Sequence, residues 1–284
     1  MTPRRRTFLA VDIGASSGRV MAGHFDGVRL AIEEVSRFPN QGHQLADGWH
    51  WDAAELLKNI THGLTAAGAK FGPDVVSVAV DTWGVDYGLL DAAGELITPP
   101  WMYRDARTDG LIAEAERLVG AENLWKRTGI HPLFFNTLHQ LMAETRRTPD
   151  ALARATDLLF MPDLLNYRLS GVKAIERTIA STSELLRAGA AEWDLALAEQ
   201  LGIPSRLLKP VTEPAVLLGP LRGALAAETG LHGVQVTTCG SHDTASAVAG
   251  VPAEQANPLF LSSGTWSLLG RELPSPVLLS LIHI

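Results

Sequence analysis

Cysteine is almost absent: 284 residues carry one, Cys239. A single thiol can build neither an internal disulfide framework nor a thiolate zinc site, so neither holds this chain together. No uncharged apolar run approaches the ~18 residues a transmembrane helix requires. No long basic run is present either, and 24 Lys and Arg against 31 Asp and Glu give a net charge of −7. That balance is a poor match to a nucleic-acid binder, whose affinity rests on phosphate neutralisation. The short cluster Arg4-Arg5-Arg6 superficially resembles a twin-arginine export signal, but Asp12 interrupts the apolar stretch such a signal needs. It reads instead as the lead into a first strand.

Chemical signatures are missing as well. Neither a Walker loop, with its Gly-Lys-Ser/Thr ending, nor a dinucleotide fingerprint occurs. Ser16 and Ser246 lack the Gly-x-Ser-x-Gly setting of an esterase nucleophile. His24, His43, His62 and His139 show no metal-ligand spacing, and His50, between two tryptophans, reads as packed. Cys239, in an apolar strand, reads as a small core residue.

What is present is material for a large core: 46% hydrophobic and 19% charged residues. The chain is therefore globular, and its length suits two lobes, or one lobe and part of another. The composition describes a soluble, cytoplasmic protein acting on small molecules.

Phe8 to Ile13 predicts a buried strand, Gly14 to Gly18 a turn and Arg19 to Phe25 a returning strand. Leu30 to Phe38 predicts a third strand. Asp52 caps a helix in which Leu56, Leu57, Ile60 and Leu64 recur at helical spacing. Val75 to Val80 is a β-branched strand ending in Asp81, with Tyr87 to Leu90 as its neighbour. The span from about Asp109 to Leu201 reads as mostly helical, broken at Pro149, Pro162 and Gly171. Val234 to Thr238 is again a strand, followed by a helix from about His242 to Ala249. Leu259–Ser263 and Trp266–Leu269 form a last strand pair. Strands mixed with helices define an α/β protein. A strand, a Gly/Ser/Thr tip and a strand occur near residue 14 and again near 264, and two such hairpins facing each other would clamp a polyphosphate.

Three constellations could carry chemistry. In Asp12-Ile-Gly-Ala-Ser-Ser-Gly-Arg19, backbone N–H groups and serine hydroxyls can cradle phosphate oxygens, and Arg19 can add a charge-assisted contact. Asp12 at the strand end could hold Mg²⁺ through water. The same tip is equally an ordinary hairpin turn. In Asp81-Thr-Trp-Gly-Val-Asp-Tyr87, two carboxylates and an indole suit a polyol, or merely pack a tryptophan at a strand end. Tyr103-Arg-Asp-Ala-Arg-Thr108 reads first as helix capping. In Gly240-Ser-His-Asp-Thr-Ala-Ser-Ala247, Asp243 at a first helical turn could take a proton from a sugar hydroxyl as that oxygen attacks phosphorus, or could simply cap the helix.

Taken together, these residues resemble the FGGY carbohydrate kinases. The resemblance rests on the three runs above, with Phe135-Asn-Thr-Leu-His-Gln140, Met161-Pro-Asp163 and Leu261-Ser-Ser-Gly-Thr-Trp-Ser-Leu268, all in family order. The Ala-Ser-Ser-Gly-Arg tip and the His-Asp-Thr-Ala-Ser-Ala run resemble the branch that acts on rhamnulose. The resemblance implies an actin-like, ribonuclease-H-like fold and ATP-dependent phosphorylation of L-rhamnulose at its 1-hydroxyl. It implies Asp243 as catalytic base, Gly84 and His242, Asp243 and Thr244 as sugar contacts, and Ala15, Ser16, Ser17, Gly18, Arg19 and Thr265 as ATP contacts. ATP and sugar are the implied partners, and Asp12 near Mg²⁺ extends the shared hairpin architecture. Family chains are considerably longer, so residues 1–247 are expected to be the N-terminal domain and 248–284 the start of a truncated C-terminal one. The family pattern stops after about Glu272, and the chain by itself is expected to transfer little phosphate. Competing readings are a kinase of a related ketose such as L-fuculose, an actin-like ATPase, and a non-catalytic sugar-binding regulator.

Overall fold

The computed structural model describes residues 6–254, 258–264 and 267–279. Strands β1 (Arg6–Ile13), β2 (Ser17–Phe25) and β3 (Leu30–Pro39) form an antiparallel meander. Each alternates buried and open positions to some degree; Leu9, Val11, Ile13, Val20 and Ala22 enter the core. Helix α1 (Ala53–Phe71) follows, its start fixed by the Asp52 carboxylate accepting from the Glu55 N–H. Leu56, Ile60 and Leu64 recur at four-residue spacing and are buried against the sheet. Each contributes about 1.5–3 kcal/mol of burial.

Helix α1 is the crossover that brings the strand Val75–Thr82 back parallel to β1. The strand Gln235–Thr237 adds parallel to Val75–Thr82 on the other side, and Leu217–Pro220 closes that edge antiparallel. The result is a six-stranded mixed sheet whose parallel centre is β1, Val75–Thr82 and Gln235–Thr237. Ligands of open α/β sheets bind outside the carboxyl ends of such strands, where the chain leaves in different directions.

One expectation about strands fails and one short strand goes unread, each for an identifiable reason. Tyr87–Leu90 is not the neighbour of Val75–Thr82; it pairs antiparallel with Asp157–Phe160 in a separate two-stranded sheet. Both flanks of Val75–Thr82 are already taken, and the turn at Gly84-Val85 swings the chain off the sheet. Asp157–Phe160 itself lies inside the span read as helical. A run of four residues carries too little periodicity to separate a buried strand from a buried helix.

Most of the rest of that span is helical, as its punctuation implies. Pro149 and Pro162 stand in the first turns of helices Pro149–Arg154 and Met161–Ser170, where a missing N–H costs nothing. Gly171 ends the latter in the left-handed conformation. Asp105 caps a short 3₁₀ turn by accepting from the Arg107 N–H and also takes the Trp49 N–H, so its part of the Tyr103–Thr108 cluster is architectural. No helix among the described residues is long and apolar enough to cross a membrane.

Candidate active site

The carboxyl ends of the three parallel strands are laced together. The Trp83 N–H donates to the Ile13 carbonyl, and the Thr82 N–H donates to the Ser241 carbonyl at 2.9 Å. Asp12 and Asp81 are side by side in register, and helix Asp243–Ala249 starts one residue beyond the bridge from Thr82 to His242. Over these ends lies a cavity of about 880 Å³. It is lined by Asp12, Gly14, Ala15, Ser16, Ser17 and Arg19 at the β1–β2 tip, and by Trp83, Gly84, Tyr103, Asn136 and Thr182. His242, Asp243 and Thr244 line it as well, and Ser262, Ser263 and Gly264 of the hairpin Leu259–Ser263/Ser267–Arg271 reach the same space.

Of the residues singled out from sequence, the cavity thus gathers Asp12, Ala15, Ser16, Ser17, Arg19, Gly84, His242, Asp243 and Thr244. Gly18 is one position further along β2 and does not line it. A Cβ there would stand 2.3 Å from the Phe38 ring, so this glycine serves close packing of β2 against β3. Thr265 lies outside the described residues.

The phosphate-cradle candidate has its acceptors occupied. Asn40, a buried residue that sequence reasoning missed, donates its N–H to the Ser16 carbonyl and its side-chain amide to the Gly14 carbonyl at 2.8 Å. The Gly14 N–H closes the turn onto the Ser17 carbonyl. With those carbonyls engaged, the lining of the tip is weighted toward hydroxyl and N–H donors and the Arg19 guanidinium, which suits an anion. Among the described residues no group of three His, Cys, Asp or Glu side chains could hold a metal ion. Asp12, a carboxylate beside the hairpin tip, has the oxygen chemistry that Mg²⁺ takes.

The charges of Asp12 and Asp243 both act on Asp81 here. Burial, and then the charges of Asp12 and Asp243, hold the Asp81 carboxyl well above the usual carboxylate range. Asp243 directs one oxygen, Oδ1, to its neighbours: it accepts from the Thr244 N–H and hydroxyl and lies 3.5 Å from His242 Nε2. Burial lowers the His242 pKa, with Asp243 opposing, so the imidazole is neutral at physiological pH.

The second carboxylate of the Asp81–Tyr87 run does something else. Asp86 is fully buried and away from the cavity lining. Its Oδ2 accepts from Trp51 Nε1 at 2.6 Å, Trp83 Nε1 at 2.9 Å and the Tyr103 N–H at 3.2 Å, while Oδ1 accepts from Gln140 Nε2 at 2.8 Å. It therefore fixes the Trp83 indole and the Tyr103 backbone at the cavity wall rather than touching a polyol. Val85 beside it holds φ = 71°, a left-handed value that β-branched residues rarely adopt. Its N–H donates to Thr182 Oγ1 at 2.9 Å and its carbonyl accepts from Thr137 Oγ1 at 2.7 Å, which holds the strained turn in place. Thr182 carried no signal in the sequence; Asn136 was visible only as part of the Phe135–Gln140 motif.

A model of the N-terminal domain of the FGGY family of carbohydrate kinases matches residues 7–250. The chain belongs to that family. It is 42% identical over 269 residues to a rhamnulokinase of Oceanobacillus iheyensis, a match covering 95% of this chain and 57% of that protein. A rhamnulokinase of Enterococcus faecalis is 41% identical over 269 residues, covering 94% and 54%. A carbohydrate kinase from Novosphingobium aromaticivorans superposes with a TM-score of 0.82 at 23% identity, over 96% of this chain and 57% of that one. A xylulose kinase from Rhodospirillum rubrum gives 0.77 at 22% identity, over 90% and 53%. These superpositions establish the fold, the actin-like α/β architecture of sugar kinases, and of it the N-terminal lobe. The chain spans little more than half the length of the curated relatives it matches.

Proposed function

We propose that this chain forms the sugar-side lobe of a cytoplasmic, ATP-dependent kinase that phosphorylates L-rhamnulose on its 1-hydroxyl, giving L-rhamnulose 1-phosphate and ADP. Residues 1–247 would be the N-terminal domain and 248–284 the opening of the C-terminal one. The observation that supports this reading is the lining of one cavity, which brings together the donor-rich hairpin tip with Arg19, the Gly84 turn, and His242, Asp243 and Thr244. The similarity to rhamnulokinases supports the choice of sugar.

In this reading the sugar lies along Trp83, Gly84 and Tyr103, its C–H surface on the rings. His242, being neutral, exchanges a hydrogen bond with a hydroxyl without placing a cation beside Asp243. Asp243 keeps Oδ1 on Thr244, and Oδ2 is left to take the proton of the 1-hydroxyl. The freed oxygen attacks the terminal phosphorus of ATP, a bond forms to the sugar, and the bond to the ADP oxygen breaks. The tip donors and Arg19 hold phosphate oxygens in line. Mg²⁺, when bound near Asp12, supplies charge neutralisation of those oxygens.

A chain about half its relatives' length is expected to release little ADP by itself. The test is an ADP-release assay with L-rhamnulose and L-fuculose, on this chain and on a form extended to the relatives' length. Sugar-dependent turnover by the extended form, highest with L-rhamnulose and abolished by Asp243→Asn with sugar binding retained, supports the proposal. Preference for L-fuculose would reassign the substrate. ATP hydrolysis indifferent to either sugar would overturn the kinase reading in favour of an actin-like ATPase, and sugar binding without any turnover would favour a regulator.

A further inference from the structure

Both sugar-side loops are tied to one short segment, and nothing in the proposed chemistry uses it. Residues 176–182 run as the end of a two-residue strand, the helix Arg177–Ala180 and a 3₁₀ turn. Glu176 is fully buried, and its carboxylate accepts from the Thr178 N–H and hydroxyl, the Ile179 N–H and, across 65 positions of sequence, the Ser241 N–H at 3.1 Å. Thr178 Oγ1, having donated to Glu176, accepts from the His242 N–H at 3.2 Å. At the other end of the segment Thr182 Oγ1 donates to the Ile179 carbonyl and accepts from the Val85 N–H, and its side chain closes on Gly84.

We infer that Glu176, Thr178 and Thr182 form a positioning strap that fixes the Ser241–Asp243 backbone and the Gly84-Val85 turn at one mutual spacing, and that this spacing sets sugar affinity. The physical argument is satisfaction. The Ser241 and His242 amides sit at the transition from strand to helix, where neither element supplies a partner, so the strap is their acceptor. A hydroxyl that both donates to a carboxylate and accepts from an amide has a single orientation, and the three groups lock one another. Asp243 follows His242 directly, so a shift of the His242 amide moves the carboxylate that faces the sugar. Glu176 is in turn held from behind, its N–H donating to Asp163 Oδ1 at 3.1 Å.

This inference rests on the sugar-binding reading of the cavity, and its test separates the two. Thr178→Val keeps the shape and removes the hydroxyl; Thr178→Ser restores it. In the chain as it stands, L-rhamnulose affinity by calorimetry is expected to fall at least tenfold in Thr178→Val and to return within threefold of the parent in Thr178→Ser. Amide hydrogen exchange at Ser241 and His242 should accelerate at least tenfold in the valine variant, with Val11 and Val80 unchanged. A segment that only adds stability would lower the urea midpoint and leave affinity and local exchange in the folded protein as they were. That result overturns the inference. If the parent binds no ketose, the sugar reading fails, and the strap stands or falls on the exchange data alone. If Thr178→Val does not fold, Thr182→Val cuts the other end, with faster exchange at Val85 and weaker sugar binding expected; parent-like values for both would overturn it.

Discussion

Arg19 Nε lies 2.8 Å from Asp12 Oδ2, one rung of the β1–β2 ladder joining them directly across the strands. Both side chains are about a third exposed, so the pair adds little to stability, of order 0.2–1 kcal/mol. Its consequence is orientation: the guanidinium is held at the cavity mouth by the carboxylate proposed to meet Mg²⁺. Arg19→Gln should therefore change the urea-unfolding free energy by less than about 1 kcal/mol. In the extended form it should raise the KM for ATP at least tenfold with the KM for sugar unchanged. Equal effects on both constants would separate Arg19 from the phosphate.

Gly84 has no room for a methyl group. A Cβ would stand 2.9 Å from Thr182 Cγ2 and 3.1 Å from its Cβ, beside the strained Val85. Gly84→Ala should cost about 1–3 kcal/mol by overpacking. Thr182→Ser removes the closest atom while keeping the hydroxyl that accepts from Val85. In a double-mutant cycle by urea unfolding, the pair should therefore be less destabilised than the two single losses predict. Strict additivity would place the clash elsewhere.

The parts of this site that sequence made legible are those where chemistry is written in local runs. Asp12 to Arg19, Gly84 and His242 to Thr244 stand at strand ends and turns, and periodicity fixes where strands end. The strap was not legible, because Glu176 and Thr178 are ordinary helix-start residues until the fold brings Ser241 to them. Asn40 was invisible for the same reason: its partners Gly14 and Ser16 are reached only when β3 folds back. Asp86 was open to a sugar-side reading because two carboxylates and an indole at a strand end suit a polyol as well as they suit a packed tryptophan. Four donors from four separate stretches of chain, a grouping no local pattern announces, draw it inward.

Those four donors make Asp86 a sensitive position. Burial pushes its carboxyl up to about 6 even though every hydrogen bond it accepts pulls the other way. Asp86→Asn places an amide N–H₂ against at least one N–H donor, leaving a buried donor unpaired at about 1–3 kcal/mol. Because Trp51 and Trp83 lose their common anchor, the loss should be accompanied by a shift in tryptophan emission. An unchanged spectrum with unchanged stability would contradict the tether.

Beneath the cavity wall, Glu184 Oε2 accepts from Asn136 Nδ2 at 2.8 Å and lies 3.8 Å from His139 Nδ1, both acid and base fully buried. His139 Nδ1 is within 2.9 Å of the Leu133 carbonyl, which identifies it as the protonated nitrogen of a neutral ring. Burial raises Glu184 from 4.5 to about 7 and lowers His139 from 6.5 to about 4. Between those limits both are uncharged, so this is not an ion pair. The two act oppositely on stability. Glu184 has a raised folded pKa, so its contribution is full below about 4.5 and is lost as pH rises through about 7. His139 has a depressed folded pKa, so its contribution is full above about 6.5 and is lost as pH falls toward 4. Glu184→Gln removes the first slope: relative to the parent, the variant should gain on the order of 3 kcal/mol between pH 4.5 and 7. His139→Gln should show the mirror image, losing ground to the parent over the same interval. Unfolding free energies by urea across that range decide it, and parallel parent and variant curves would show that neither group titrates with folding.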